Sequence, residues 1–204
     1  MKNPKIILAS GSRDRVKIFK SAKLDFEIII SDFSEDELKS KKFSSIELAK
    51  ELAKKKILNV KEKMESNGID AIIIAADTLV EFEGNIIGKA MNENHALKIL
   101  KALNNNTHKL ISAIAVARTF EDKIICDYDV TNVRFLNLSE EEIIGYVKTG
   151  EWKGRAGAYS IQDKASLFID KIEGSPSNVI GIPMHKLYLI LKNEFNYNFL
   201  TEKN

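Results

Sequence analysis

Apolar and polar positions along this chain switch repeatedly between a strand period and a helix period, the pattern of a mixed α/β protein. Residues 5–9 predict a short buried strand, and 13–22 a helix with Val16, Phe19 and Lys20 spaced for one inward face. A second apolar run, Phe26 to Ile30, ends in the acidic segment Asp32 to Glu37, which reads as a solvated loop. Ser44 and Glu47 form a capping-box pattern that opens a long helix with apolar positions Ala49, Leu52, Ala53, Ile57, Val60 and Met64. Ala71 to Ala75 has the near-continuous apolar character of a strand covered on both faces. It delivers Ala76-Asp77-Thr78 at its C-terminal end, where ligands sit in open α/β sheets. A hairpin follows, turning at Glu83-Gly84-Asn85 and returning through Ile86-Ile87 to Gly88-Lys89.

Further along, a helix from about 92 to 103 has Ala96, Ile99, Leu100 and Leu103 for its core face, and Asn104-Asn105-Asn106 stops it. Strands over 109–118 and 124–135 read as the central hairpin of a second lobe. Ser139 and Glu142 cap another helix that ends near Gly150. Between Trp152 and Gln162, small and glycine positions let the backbone approach something closely. A strand around 167–172, a Gly174-Ser175-Pro176 turn and a helix from Pro183 to about Lys192 complete the pattern. No repeat or linker interrupts it, so a single domain over 1–204 is expected, its two lobes sharing one cleft.

Composition changes the picture mainly by exclusion. At 204 residues, 44% hydrophobic and 29% charged, the chain can bury a sizeable core. Its net charge of +2 is too small for a dedicated nucleic-acid or membrane-surface protein, so any phosphate recognition should be local. The single cysteine, Cys126, sits in an apolar alternation and reads as a buried structural thiol. With neither a leader pattern nor an apolar run of about 18 residues, a cytoplasmic location is expected and no membrane partner.

Candidate chemistry concentrates in three places. At Leu8-Ala9-Ser10-Gly11-Ser12-Arg13-Asp14-Arg15 an apolar run stops in a hydroxyl-rich turn that leads straight into a helix. Free backbone N–H groups, serine hydroxyls and guanidinium could hold a phosphate there, although a Ser-rich N-cap can also simply cap. Two of the five arginines lie in that turn, suited to bidentate anion contact. Lys56 lies on the apolar face of its helix, pointing inward unless its stem snorkels to water. Lys89 returns toward Asp77 along the hairpin, an arrangement that serves a shared cleft or a surface salt bridge equally well.

Taken in order, these segments resemble the Maf family of nucleoside triphosphate pyrophosphatases from residue 6 to about 192. Leu8 to Arg15 is similar to the family's Leu-Ala-Ser-x-Ser-Pro-Arg-Arg, Ala76 to Thr78 to its Ala-Asp-Thr, and Gly88-Lys89-Ala90 to its Gly-Lys-Pro. Thr107-His108, Ala156 to Gln162 and Asn178 to Pro183 match three further segments. The resemblance implies a Maf/ITPase-like α/β fold: an elongated, mixed, twisted sheet flanked by helices, with two lobes around a central cleft. It implies hydrolysis of a nucleoside triphosphate to the monophosphate and pyrophosphate with Mg²⁺ or Mn²⁺, and a homodimer, since family members are typically dimers. By the same resemblance, Asp77 is the general base or a metal carboxylate, Glu35 the second metal carboxylate, and Lys56 and Lys89 the active-site lysines. Ser10, Ser12 and Arg15 match the family's phosphate-binding turn, and Gly11 and Arg13 are expected beside them as substrate-binding residues. His108 is left outside the site as a structural group.

Gly11, Thr78 and Gln162 match the branch acting on dTTP and UTP, and a Gln amide can read a pyrimidine edge with one donor and one acceptor. Arg13 and Asp14 depart from that branch, which leaves open a different base preference or modified pyrimidine nucleotides. A non-catalytic nucleotide- or nucleic-acid-binding regulator of septum formation is the alternative from another class. No stable nucleic-acid partner is expected.

Overall fold

Side-chain caps fix where the helices of this protein begin. The computed structural model describes residues 4–35, 38 and 42–201. Along the chain come β1 (Lys5–Leu8), α1 (Arg13–Ser21), β2 (Glu27–Ile28), α2 (Ser45–Ser66), β3 (Ala71–Phe82), β4 (Asn85–Ile87) and α3 (Glu93–Leu103). Then follow β5 (Thr107–Arg118), β6 (Ile124–Phe135), α4 (Glu140–Lys148), a 3-10 turn (Lys164–Leu167), β7 (Ile169–Glu173), α5 (Pro176–Ile180) and α6 (Met184–Glu194). Ser44 and Glu47 close the predicted capping box at α2, and Ser139 and Glu142 close its counterpart at α4.

The strands form one seven-stranded mixed sheet in the order β2-β1-β3-β5-β6-β7, with β4 paired to β3 off that path. β1 runs parallel to both β2 and β3, and Leu8 lies opposite Ile74. The predicted hairpin is present, with Val80 opposite Ile87 and both turn residues, Glu83 and Gly84, at positive φ. Two consecutive positive-φ residues give the turn whose twist matches that of the flanking strands.

The chain divides into two compact units. The first draws on Met1–Asp77, Ser112–Tyr128 and Gly181–Asn204, and its core gathers Ile6, Leu8, Phe19, Ile72, Ile74, Ile114 and Leu187. Leu52, Ile57 and Val60 of α2 are completely buried, each contributing about 2 kcal/mol of apolar transfer. The second unit draws on Thr78–Ile111 and Asp129–Ile180 and packs α3 and α4 around an aromatic core of Phe135, Tyr146, Trp152, Tyr159 and Phe168. Among the described residues no helix is long and apolar enough to cross a membrane.

Several local expectations are corrected. β3 does not end at Ala75: no glycine or proline breaks the run, so the strand continues to Phe82 and Asp77 lies within it. The inward face of α1 is Arg15 and Phe19, whereas Lys20 is exposed, because Arg15 finds acceptors inside and Lys20 does not need them. β5 and β6 run through both units rather than belonging to one lobe. The seventh strand starts at Ile169, since Leu167 stands exposed in the 3-10 turn, and Pro176 opens a short helix where only a turn is expected. Cys126 is half-buried, not buried. Of the acidic segment, Asp36 and Glu37 lie outside the described residues.

Candidate functional site

Strand pairing sets the geometry of the first unit's polar centre. Beyond β1 the pairing continues as the Ala9 N–H donates to the Ile74 carbonyl at 2.8 Å, which seats Ser10 beside the Ala76-Asp77 step. Ile72, Ile74 and Ala76 of β3 face one core cluster, so the two-residue alternation turns Ile73, Ala75 and Asp77 to the opposite face. There Asp77, only 7% exposed, meets Lys56 from α2. The Lys56 ammonium lies 2.5 Å from Asp77 Oδ1 and 2.7 Å from Glu35 Oε1, joining two carboxylates from segments remote in sequence. Its side chain is 16% exposed, so the lysine turns in rather than snorkelling out.

The loop carrying Glu35 is pinned to the same side of α2. Asn59 Oδ1 accepts from the Ser31 hydroxyl at 3.1 Å and the Asp32 N–H at 3.3 Å, and Lys63 donates to Asp32 at 2.9 Å. The Lys63 and Asn59 contacts lower the pKa of Asp32. Lys56, Asn59 and Lys63 thus form a polar row at helical spacing beside the apolar stripe. Sequence reasoning missed Asn59 and Lys63, and that spacing is the signal that would have found them.

Arg15 ties the serine turn to this centre. Its Nη1 donates to the Ala76 carbonyl at 2.8 Å and to Ser10 Oγ at 3.2 Å, while Nε donates to the Gly181 carbonyl at 2.8 Å. Burial lowers its pKa, and the charges of Asp77, Glu35 and Asp14 oppose that shift. Ser10 is buried and also accepts from the Ser12 N–H; Ser12 in turn caps α1 by accepting from the Arg15 N–H. Gly11 and Arg13 are exposed, and the turn borders an open depression of about 620 Å³ whose wall also carries Lys17 and Lys20. A Cβ at Gly11 would approach Ile30 Cδ1 to 3.2 Å, so a larger residue there pushes against this wall.

The remaining predicted residues belong to the second unit. Thr78 is half-buried in β3. Lys89 is exposed and forms an antiparallel bridge with Ala156, which joins the hairpin arm to the glycine-rich loop that also carries Gln162. The Gln162 Oε1 is buried and has no hydrogen-bond partner among the described residues. His108 lies in the aromatic core, its Nε2 2.8 Å from the Tyr159 hydroxyl, with burial pushing its pKa down to about 4. Burial pushes the Cys126 thiol up, the wrong direction for a thiolate nucleophile.

The two carboxylates that share the half-buried Lys56 ammonium are donors of the type a hard divalent cation takes, because Mg²⁺ is commonly held by one or two carboxylates, with waters and phosphate oxygens completing its shell. Among the described residues no group of three or more His, Cys, Asp or Glu side chains is arranged for a metal.

A mixed α/β sheet carrying such a charged centre is common to many proteins, and comparison narrows it. The family model described as Maf-like protein matches residues 5–194. The chain belongs to the Maf family. The dTTP/UTP pyrophosphatase of Alkaliphilus oremlandii is 42% identical over 195 residues, covering 96% of this chain and 98% of that protein. That of Clostridium tetani is 40% identical over 186 residues, covering 91% and 95%. The solved structure of the Staphylococcus aureus Ham1 protein overlaps 64% of this chain and 71% of its own, at 16% identity and a TM-score of 0.39, too loosely to add to the assignment.

Proposed function

We propose that this protein is a divalent-cation-dependent nucleoside triphosphate pyrophosphatase that converts dTTP and UTP to the monophosphate and pyrophosphate. The observation that carries it is the Lys56 ammonium between Glu35 and Asp77, beside the Ser10 turn. The names of the two relatives support the substrate. In this proposal the oxygen of a water bonds to the α-phosphorus while the bond to the bridging oxygen breaks, and pyrophosphate leaves. Asp77 orients that water and accepts its proton, a role its burial and hydrogen-bonded position suit. Glu35 and Asp77 would hold Mg²⁺ or Mn²⁺, which when bound neutralises triphosphate charge. Lys56 and Lys89 supply further positive charge, with Ser10, Gly11, Ser12 and Arg13 as the phosphate turn. Arg15 holds Ser10 and the Ala76 carbonyl in place, and Thr78 and Gln162 contact the nucleoside. A cytoplasmic homodimer belongs to the same proposal.

Pyrophosphate release from a panel of normal and modified nucleoside triphosphates with Mg²⁺ tests this. dTTP and UTP should rank highest. A purine or cytosine nucleotide at the top shifts the base preference, as the Asp14 departure allows, and inertness toward the whole panel overturns the proposal.

A further inference from the structure

Arg155 fastens the glycine-rich loop of the second unit from both ends. Upstream, the Trp152 indole N–H donates to the Val147 carbonyl at 2.9 Å, and Arg155 Nη1 donates to the Glu151 carbonyl at 2.9 Å. Downstream, Arg155 Nη2 lies 2.8 Å from Asp163 Oδ2, with the two side chains 20% and 35% exposed. The Glu151 carboxylate accepts from the Lys164 N–H at 3.0 Å, a second tie across the same neck. Between these ties lie the segments with candidate chemistry. Ala156, next to Arg155, bridges to Lys89, and the Gly157 N–H reaches the Gly88 carbonyl at 3.4 Å. Gly157 stands at φ +69, and a Cβ there would lie 2.9 Å from Val80 Cγ2, so the loop sits hard against β3. Gln162, next to Asp163, buries an amide oxygen with no partner among the described residues. A buried acceptor left without a partner is costly, and a ligand donor would remove that cost.

We infer that Arg155, through its ion pair with Asp163, is a positioning residue that sets where Gln162 presents its amide, and so governs pyrimidine selectivity without touching the nucleotide. A guanidinium suits this task because its planar fork serves a carbonyl and a carboxylate at once. The inference rests on the proposal that Gln162 contacts the base.

A double-mutant cycle tests it, with kcat and KM measured for dTTP and dCTP in the wild type, Arg155→Gln, Gln162→Ala and the double variant. Each single change should lower the dTTP:dCTP ratio of kcat/KM about tenfold, mainly through KM, the scale of one hydrogen bond misplaced. The double variant should be no less selective than Gln162→Ala alone, because Arg155 acts through Gln162. Asp163→Asn, which removes the partner charge at nearly the same side-chain size, should reproduce Arg155→Gln. Additive losses, or a ratio that Arg155→Gln and Asp163→Asn leave unchanged, overturn the inference while the pyrophosphatase proposal stands. A wild type inert toward dTTP overturns both.

Discussion

The two units of this protein bury polar groups in opposite ways. The first encloses charge: Asp77 and Arg15 are buried and Lys56 half-buried, each matched to a partner of opposite sign or to backbone carbonyls. The second encloses neutrality: His108 sits among Phe135 and Tyr159 with ring centroids 4.8 and 5.4 Å away, at a pKa of about 4. Charge kept inside a fold is expensive unless paired, so a paired cluster is retained where chemistry needs it. An uncharged imidazole with one hydrogen bond serves packing.

The contrast breaks most visibly at Asp77. Asp77→Asn should keep the fold and lower kcat by about a thousandfold in a pyrophosphate-release assay, the range for losing a positioned proton acceptor. Near-wild-type turnover would make the charged centre structural as well. Lys56→Met should destabilise the metal-free protein by about 3 kcal/mol, because two carboxylates then face each other without their cation. Mg²⁺ should raise the melting temperature of that variant more than that of the wild type, where the ammonium already fills the gap; equal shifts would place cation binding elsewhere.

In the second unit, stability should fall with acid through His108. Its folded pKa, about 4, lies below the ordinary 6.5, so the unfolded chain takes up the proton first as pH drops. That contribution is complete above about pH 6.5 and is lost progressively toward pH 4. Between pH 7 and 5 the loss is about 2 kcal/mol, and urea titrations of His108→Gln should lack it. The smallest effects separate the units least: Ser44→Ala and Ser139→Ala should each cost about 1 kcal/mol by denaturant unfolding, since both units cap a helix in the same way.

Features that depend on neighbours in sequence were legible. Both capping boxes, the β3–β4 hairpin and the buried stripe of α2 follow from residue types a few positions apart. What was not legible depends on distant partners. Arg15 displaces Lys20 from the inward face because carbonyls 61 and 166 positions away accept its hydrogens, and no local period carries that information. Asp77 continues a strand through a buried position because Lys56, 21 positions earlier, meets it. The composition of the candidate site came from the family resemblance; Asn59, Lys63 and Arg155 lie outside the motifs that carry it.

An ammonium whose hydrogens are committed to two carboxylates is a poor partner for acylating reagents. Lys54 and Lys55, exposed immediately before it on the same helix, have no such ion pair among the described residues. Mild acetylation followed by peptide mass mapping should therefore mark Lys54 and Lys55 and spare Lys56, a chemical footprint of the triad that needs no substrate.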